Sequence, residues 1–485
     1  MNRTHSLVLI TVDCLRADHV GFNGYDRPTT PFLDDLAAES TIVRNAVVAG
    51  SPTYYSFPAI LASRHPLALG RDVVGLAPGE PTMASVLNER GYATAAFIAG
   101  NPYLSRHFGY DAGFETFQDF LENEPDPSGA AGMPKNSGGS RFNRKLADIS
   151  HGLGPLGQIY DELYFRYCQR INRAQKASFD QLRRFPAADR VVDDASAWLS
   201  GIAGKPFFLW LHLMDPHSPY YPREQALPWM GQGDLGAGRA RYLNSYWNRG
   251  DLTERRLKRH RQEIIALYDA GIRWVDAQLA RLVETLRKGN LWDNCVFALT
   301  ADHGEEFLEH GGKYHSPAKL SEELVRVPLL LRAPGAAGVR SGNAPFSLLH
   351  LAPTLLGATG NPPFAEFRGR SYWEKLRTGQ SWNEPAVIES VTTCNNPCRS
   401  EDRMGPRMVA VRGAHYQLLL DFRTGQAQLF DLNNDPEQKV PFPPIAERAV
   451  RRSLLEVARE HISSGLQSRR PDLRLEACLR RLQLE

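Results

Sequence analysis

The chain has 485 residues, 42% of them hydrophobic and 23% charged, with a net charge of +3. That composition excludes a wholly disordered chain and gives enough length for one large core with a smaller one appended. The richest basic clusters, Arg255 to Arg261 and Arg469 to Arg480, are interleaved with apolar or acidic residues. They read as solvated helix faces and argue against nucleic acid as a partner. No window approaches the roughly 20 apolar residues that cross a bilayer, so no membrane span is expected.

The N-terminal MNRTHSLVLITVD has too short an apolar stretch for a signal peptide and ends in an acid. It reads as the first strand of a cytoplasmic protein. Further short β-branched runs follow at 94–100, 206–215, 294–302 and 327–335, separated by amphipathic stretches at 29–40, 82–92, 263–289 and 344–360. This alternation predicts a mostly parallel sheet covered on both faces. Within 263–289, Ile264, Leu267, Tyr268, Ile272, Val275, Leu279 and Leu282 recur at three- and four-residue spacing and mark one buried helix face.

Residues 121–142 are rich in Gly, Ser and Pro and read as a loop. The stretch 143–185 reads as a helical insertion that could lie over the active-site end of the sheet as a lid. After residue 385 the pattern becomes strand-like, with turns at Arg412-Gly413 and Thr424-Gly425, and a last helix is expected from about 445. The division expected is thus a catalytic α/β unit over 1–385, with 121–185 inserted, and a C-terminal antiparallel sheet plus helix over 386–485. Six cysteines in such a chain are expected to stay thiols, and Cys394 with Cys398 is a weak zinc pair lacking a second pair or a nearby His.

Ligands of open parallel sheets bind beyond the carboxyl ends of the strands. Asp13 closes the first strand and Asp302-His303 follow another, in TADHGEE. Carboxylates suit hard divalent cations, and an added imidazole moves preference toward zinc or manganese. His212, His217, His310 and His315 cluster in sequence near strand ends, where imidazoles can bind an oxyanion or protonate a leaving group. Thr53 is a candidate nucleophile once a metal or base takes its proton, and equally a cap for a helix beginning near Ser56.

Together these stretches resemble the sulfatase-like branch of the alkaline phosphatase superfamily. LITVDCLRADHVGFNGYDRPTTPFLDDLAAES resembles its opening strand and metal loop with the TTPxLDxLA helix, and WLHLMDPHSPY its HxPY loop. ALTADHGEEFLEHG resembles the region supplying the second metal pair, and QLFDLNNDPEQ the LYDLxxDPxE of its C-terminal subdomain. The resemblance implies a doubly wound, alkaline phosphatase-like α/β fold with a small C-terminal antiparallel sheet. It implies one divalent metal, Zn, Mn, Ca or Mg, on Asp13, Asp302 and His303. It also implies an anionic small-molecule or conjugate substrate held by His217, His315, Asn101 and Lys319 or Lys313. Cys14 stands where sulfatases usually carry another metal-binding Asp. A homo-oligomer is compatible with the chain.

The nucleophile segment AGSPTYYSFPAILASRHP aligns with the sulfatase pattern in two ways. Spacing to the downstream ILAS puts Thr53 at the cysteine position; matching on the proline puts Ser56 there. The first is preferred, and Phe57 or Ile60 then replaces the motif arginine. Threonine would oxidise to a ketone rather than the formylglycine aldehyde, which argues against that cofactor. Asp-His at the second pair, as in phosphonate monoester hydrolases and phosphoethanolamine transferases, points toward phosphorus. The expectation is a metal-dependent phosphoester or phosphodiester hydrolase or transferase. A sulfatase with an atypical nucleophile and a catalytically silent binding protein are its alternatives.

Overall fold

A computed structural model describes residues 4–121, 178–202, 204–336, 338–443 and 445–466. The insertion read over 121–185 lies almost wholly outside the described residues, from 122 to 177. The main sheet has seven strands: β1 (Ser6–Val12), β2 (Thr41–Ile42), β3 (Ala93–Ile98), β4 (Thr116–Gln118), β5 (Phe207–Leu213), β6 (Cys295–Ala301) and β7 (Leu329–Arg332), in spatial order β2-β7-β6-β1-β5-β3-β4. β1 runs parallel to both β5 and β6, and β3 runs parallel to β5 and β4. Every residue of β1, β5 and β6 is buried. That explains why these strands read as continuous apolar runs rather than as alternation.

The run at 327–335 departs from the parallel expectation. β7 lies antiparallel to β6 and to β2. A strand buried on both faces carries no direction in its pattern, so its sequence could not show this.

The principal helices are α1 (Pro31–Leu36), α2 (Thr53–Ala62), α3 (Met83–Glu89), α4 (Ala188–Ser200), α5 (Arg261–Lys288), α6 (Leu351–Ala358) and α7 (Arg448–Leu466). In α5 the predicted face is buried from Ile264 to Leu286, as its spacing requires. Asp276 on that helix accepts hydrogen bonds from the free N–H groups of Phe32 and Leu33, at 3.0 and 2.9 Å, and so fastens the first turn of α1.

The C-terminal strands are four: β8 (Ala386–Val391), β9 (Arg407–Arg412), β10 (Tyr416–Asp421) and β11 (Gln426–Asp431), antiparallel in that order. The turns at Arg412-Gly413 and Thr424-Gly425 join the last three, as expected; β8 leads the sheet. One face, with Ala386, Ile388, Met408 and Ala410, joins the main core. The other, with Val409, Val411, Leu418 and Leu429, packs under Leu454, Ala458 and Ile462 of α7.

Candidate active site at the strand ends

The carboxyl ends of the adjacent strands β1 and β6 place Asp13 beside Asp302 and His303, all fully buried. The Gly after His303 has a packing reason: a Cβ on Gly304 would lie 1.9 Å from the Glu323 carbonyl oxygen. Asp302 accepts from the backbone N–H of His303 at 3.0 Å and of Cys14 at 3.3 Å through one oxygen. Its other oxygen is buried with no hydrogen-bond partner.

Burial and the neighbouring Asp13 push the Asp302 carboxyl up. Burial opposes the charge on Asp13 too, but the imidazoles of His217, His212 and His303 outweigh it and hold that carboxyl well below the usual range. Two buried acids, one of them with an oxygen that has no hydrogen-bond partner, are an arrangement a cation would complete. The donor set of two carboxylates and an imidazole therefore fits the divalent metal that the sequence implies.

The sequence left open whether Thr53 caps a helix. The helix begins at Thr53 itself, with Pro52 at the cap position and no side-chain cap there. The Thr53 hydroxyl instead meets Nε2 of His303 at 3.1 Å, and its proximity favours the charged form of Asp302. Because Nδ1 of His303 donates to the Gly304 carbonyl at 2.8 Å, Nε2 presents its lone pair to that hydroxyl. One turn along, the Ser56 hydroxyl is buried and has no partner.

Asn101 also reaches the cluster, but its amide donates to Asp13 at 3.0 Å while its oxygen accepts from the Tyr103 N–H. His212 shares Asp13. Thr11 accepts from the Trp210 indole at 2.9 Å and meets His212 Nδ1 at 3.0 Å, leaving His212 Nε2 to donate to Asp13 at 3.3 Å. Phe57, one of the two residues read in place of the motif arginine, sets its ring edgewise on His212 at 5.2 Å. Sequence reasoning noted His212 among the strand-end histidines without giving it a role. Its pairing register opposite Thr11 was the missing information.

The imidazoles of His303, His315 and His217 follow one another, with ring centres 4.5 and 5.1 Å apart. Burial lowers His217, whose Nδ1 donates to the Ser218 carbonyl. Burial also opposes charge on His315, but Glu305 at 2.8 Å overcomes it and raises that imidazole to about 8. Glu305, which was not singled out in the sequence, is itself held by the Tyr220 hydroxyl. Its only signal was its place two residues after His303.

Cys14 adopts a left-handed backbone, φ 61°, and its thiol donates to Asp13 at 3.0 Å. Burial and the acids Glu305, Asp13 and Asp302 push that thiol well up, so it stays protonated. Lys313 and Lys319 are not brought here. The Lys313 ammonium sits on the carbonyls of Trp247 and Arg249, and that of Lys319 on Glu306 and the His310 carbonyl. His310 pairs with Glu323 at 3.0 Å. No helix among the described residues is long and apolar enough to cross a membrane.

Among curated proteins, the chain is 28% identical over 207 residues to "Arylsulfatase K" of Canis lupus familiaris, covering 41% of this chain and 36% of that protein. It is 26% identical over 359 residues to "Arylsulfatase" of Clostridium perfringens, covering 68% and 69%. The match thus spans only about a third of the arylsulfatase K chain. Among solved structures, the phosphonate monoester hydrolase of Agrobacterium radiobacter superposes with a TM-score of 0.62 at 17% identity, over 96% of both chains, which shows a shared fold. The family model described as Sulfatase matches residues 5–361, a span that holds Asp13, Thr53, Asp302 and His303 and most of the chain, and the chain belongs to the Sulfatase family.

Proposed function

We propose that this protein is a metal-dependent hydrolase or transferase of phosphoesters, phosphodiesters included, with Thr53 as its nucleophile. The observation that carries this reading is the Thr53 hydroxyl on the first residue of α2, held 3.1 Å from His303 and beside Asp302. A helix start also favours developing negative charge there. Ser56, buried and without a partner, is the fallback nucleophile.

A divalent ion on Asp13, Asp302 and His303 supplies, when bound, the positive charge that lowers the hydroxyl's pKa and offsets charge on the transferred group. Asn101 and His212 orient Asp13 from its other side. His217 and His315 have pKa values driven apart, which divides acid from base. In the first stage the Thr53 hydroxyl gives its proton to the neutral imidazole of His217, Oγ bonds to phosphorus, the ester P–O bond breaks, and the leaving oxygen takes the proton of His315. In the second, water or an acceptor alcohol attacks phosphorus and gives its proton to the now neutral His315, while the bond to Thr53 breaks and its oxygen takes back the proton held by His217.

Beside this row lies a cavity of about 610 Å³ whose lining includes Gly100, Arg183, Arg184, Arg190 and Arg223. Phe185, also in its lining, stacks edgewise on His217 at 5.2 Å. Arg183 is paired with Asp215, and Arg223 with Asp189 and with Asp180, which also lines the cavity, so Arg184 and Arg190 are the guanidinium groups that suit an anionic substrate or conjugate.

The second reading is a sulfuric-ester hydrolase, favoured by the arylsulfatase names of the relatives. Aryl phosphodiester, phosphomonoester and sulfate, each offered with manganese, zinc, calcium or magnesium, decide between them. Faster turnover of a phosphoester is expected. Faster turnover of sulfate with every metal would transfer the assignment to the second reading. No turnover together with no bound metal would leave a silent binding protein.

A further inference from the structure

A second group of metal-type side chains lies away from the strand-end site. His65 follows the C-terminal end of α2, Glu389 stands in β8, and His461 is on α7, so three separate elements converge. One donor atom from each lies within 4.8 Å of the others. Nε2 of His461 is 3.2 Å from one oxygen of Glu389, while the other oxygen accepts from the Leu67 N–H at 3.0 Å. The two imidazoles meet edge to face with centres 4.5 Å apart. Nδ1 of His65 is buried and has no hydrogen-bond partner.

We propose that His65, Glu389 and His461 form a zinc-type site that clamps the C-terminal sheet and α7 to the exit of α2, the helix whose first residue is Thr53. Two imidazoles and one carboxylate are the donors of a borderline-soft ion, whereas calcium and magnesium take oxygen-rich shells. Ligands about a tetrahedral zinc stand roughly 3.3 Å apart. The His461 and Glu389 atoms already do. His65 and His461 keep partial exposure, which leaves an entry path and a position for water. The carboxylate's second oxygen, fixed by Leu67, orients the first.

The test uses the full chain, stripped with chelator, reloaded with zinc, freed of excess and analysed for metal content. His461→Gln and His65→Gln should each hold one zinc equivalent fewer than wild type. Zinc should raise the thermal midpoint of wild type more than that of either variant. This one-equivalent difference is independent of the ion preferred at the strand ends and of the reaction catalysed there. In an Asp302→Asn background, cobalt(II) should still give a one-equivalent absorption band, lost on adding His65→Gln. Equal zinc content in wild type and both variants, or no remaining cobalt band in Asp302→Asn protein of wild-type circular dichroism, overturns the proposal.

Discussion

The strand-end cluster and the second core of the C-terminal sheet are both closed to water, yet they use burial for opposite ends. Beneath α7, Val409, Val411, Leu418 and Leu429 are each 0% exposed, and the cluster they form with Leu454, Ala458 and Ile462 is apolar throughout. Removing such surface from water stabilises, and nothing there is left unsatisfied by it. At the ends of β1, β5 and β6, the residues shut away are Asp13, Asp302, His212 and His303, and no Lys or Arg salt bridge reaches the two acids among the described residues. An orphaned carboxylate oxygen and adjacent like charges cost stability. The fold tolerates that cost at one place, and a cation with a reacting anion would recover it there.

Three substitutions separate the two regions by effect. The largest expected is Thr53→Ala, which should lower kcat/KM by about 10⁴-fold or more while the thermal midpoint stays near wild type. Full activity would move the nucleophile elsewhere. Asp302→Asn should lose the strand-end metal and reduce turnover by about 10³-fold, and the chelator-stripped variant should be no less stable than stripped wild type, because a buried like charge has gone. Metal content by elemental analysis and a melting curve check both halves. Leu429→Ala, in the apolar core, should do the reverse: destabilise by about 2–5 kcal/mol in denaturant unfolding while the folded fraction keeps its kcat/KM.

The smallest effect is a slope. Burial raises Asp276 from 3.8 to about 7, so between these values the folded chain binds the extra proton and stability falls as pH rises. The thermal midpoint of wild type should therefore decline by roughly a few degrees relative to Asp276→Asn between pH 4 and 7. Parallel pH profiles for the two proteins would contradict this account of Asp276.

What could be read from the sequence follows the same division. Asp13 and Asp302-His303 were legible because each ends an apolar run that could only be an interior strand. The position of Thr53 beside them followed from its spacing to ILAS, which put it at the start of α2. The antiparallel setting of β7 was not, since doubly buried strands carry no orientation signal. Nor was the service of His212 to Asp13, which depends on which strand neighbours β1. Lys313 and Lys319 were placed near the anion by chain proximity alone. Glu306 is buried, and it draws the Lys319 ammonium to itself. The join of His65, Glu389 and His461 depends on how the C-terminal sheet packs against the exit of α2, which no local pattern encodes.

The central claim is that an unmodified threonine carries the transferred group. Peptide mass analysis of residues 49–66, from resting protein and from protein acid-quenched during turnover of an aryl phosphodiester, tests it most directly. The account predicts unmodified Thr53 and Ser56 at rest and a phosphoryl adduct on Thr53 after the quench. A loss of two hydrogens at Ser56, or an adduct there with Thr53 untouched, would contradict it.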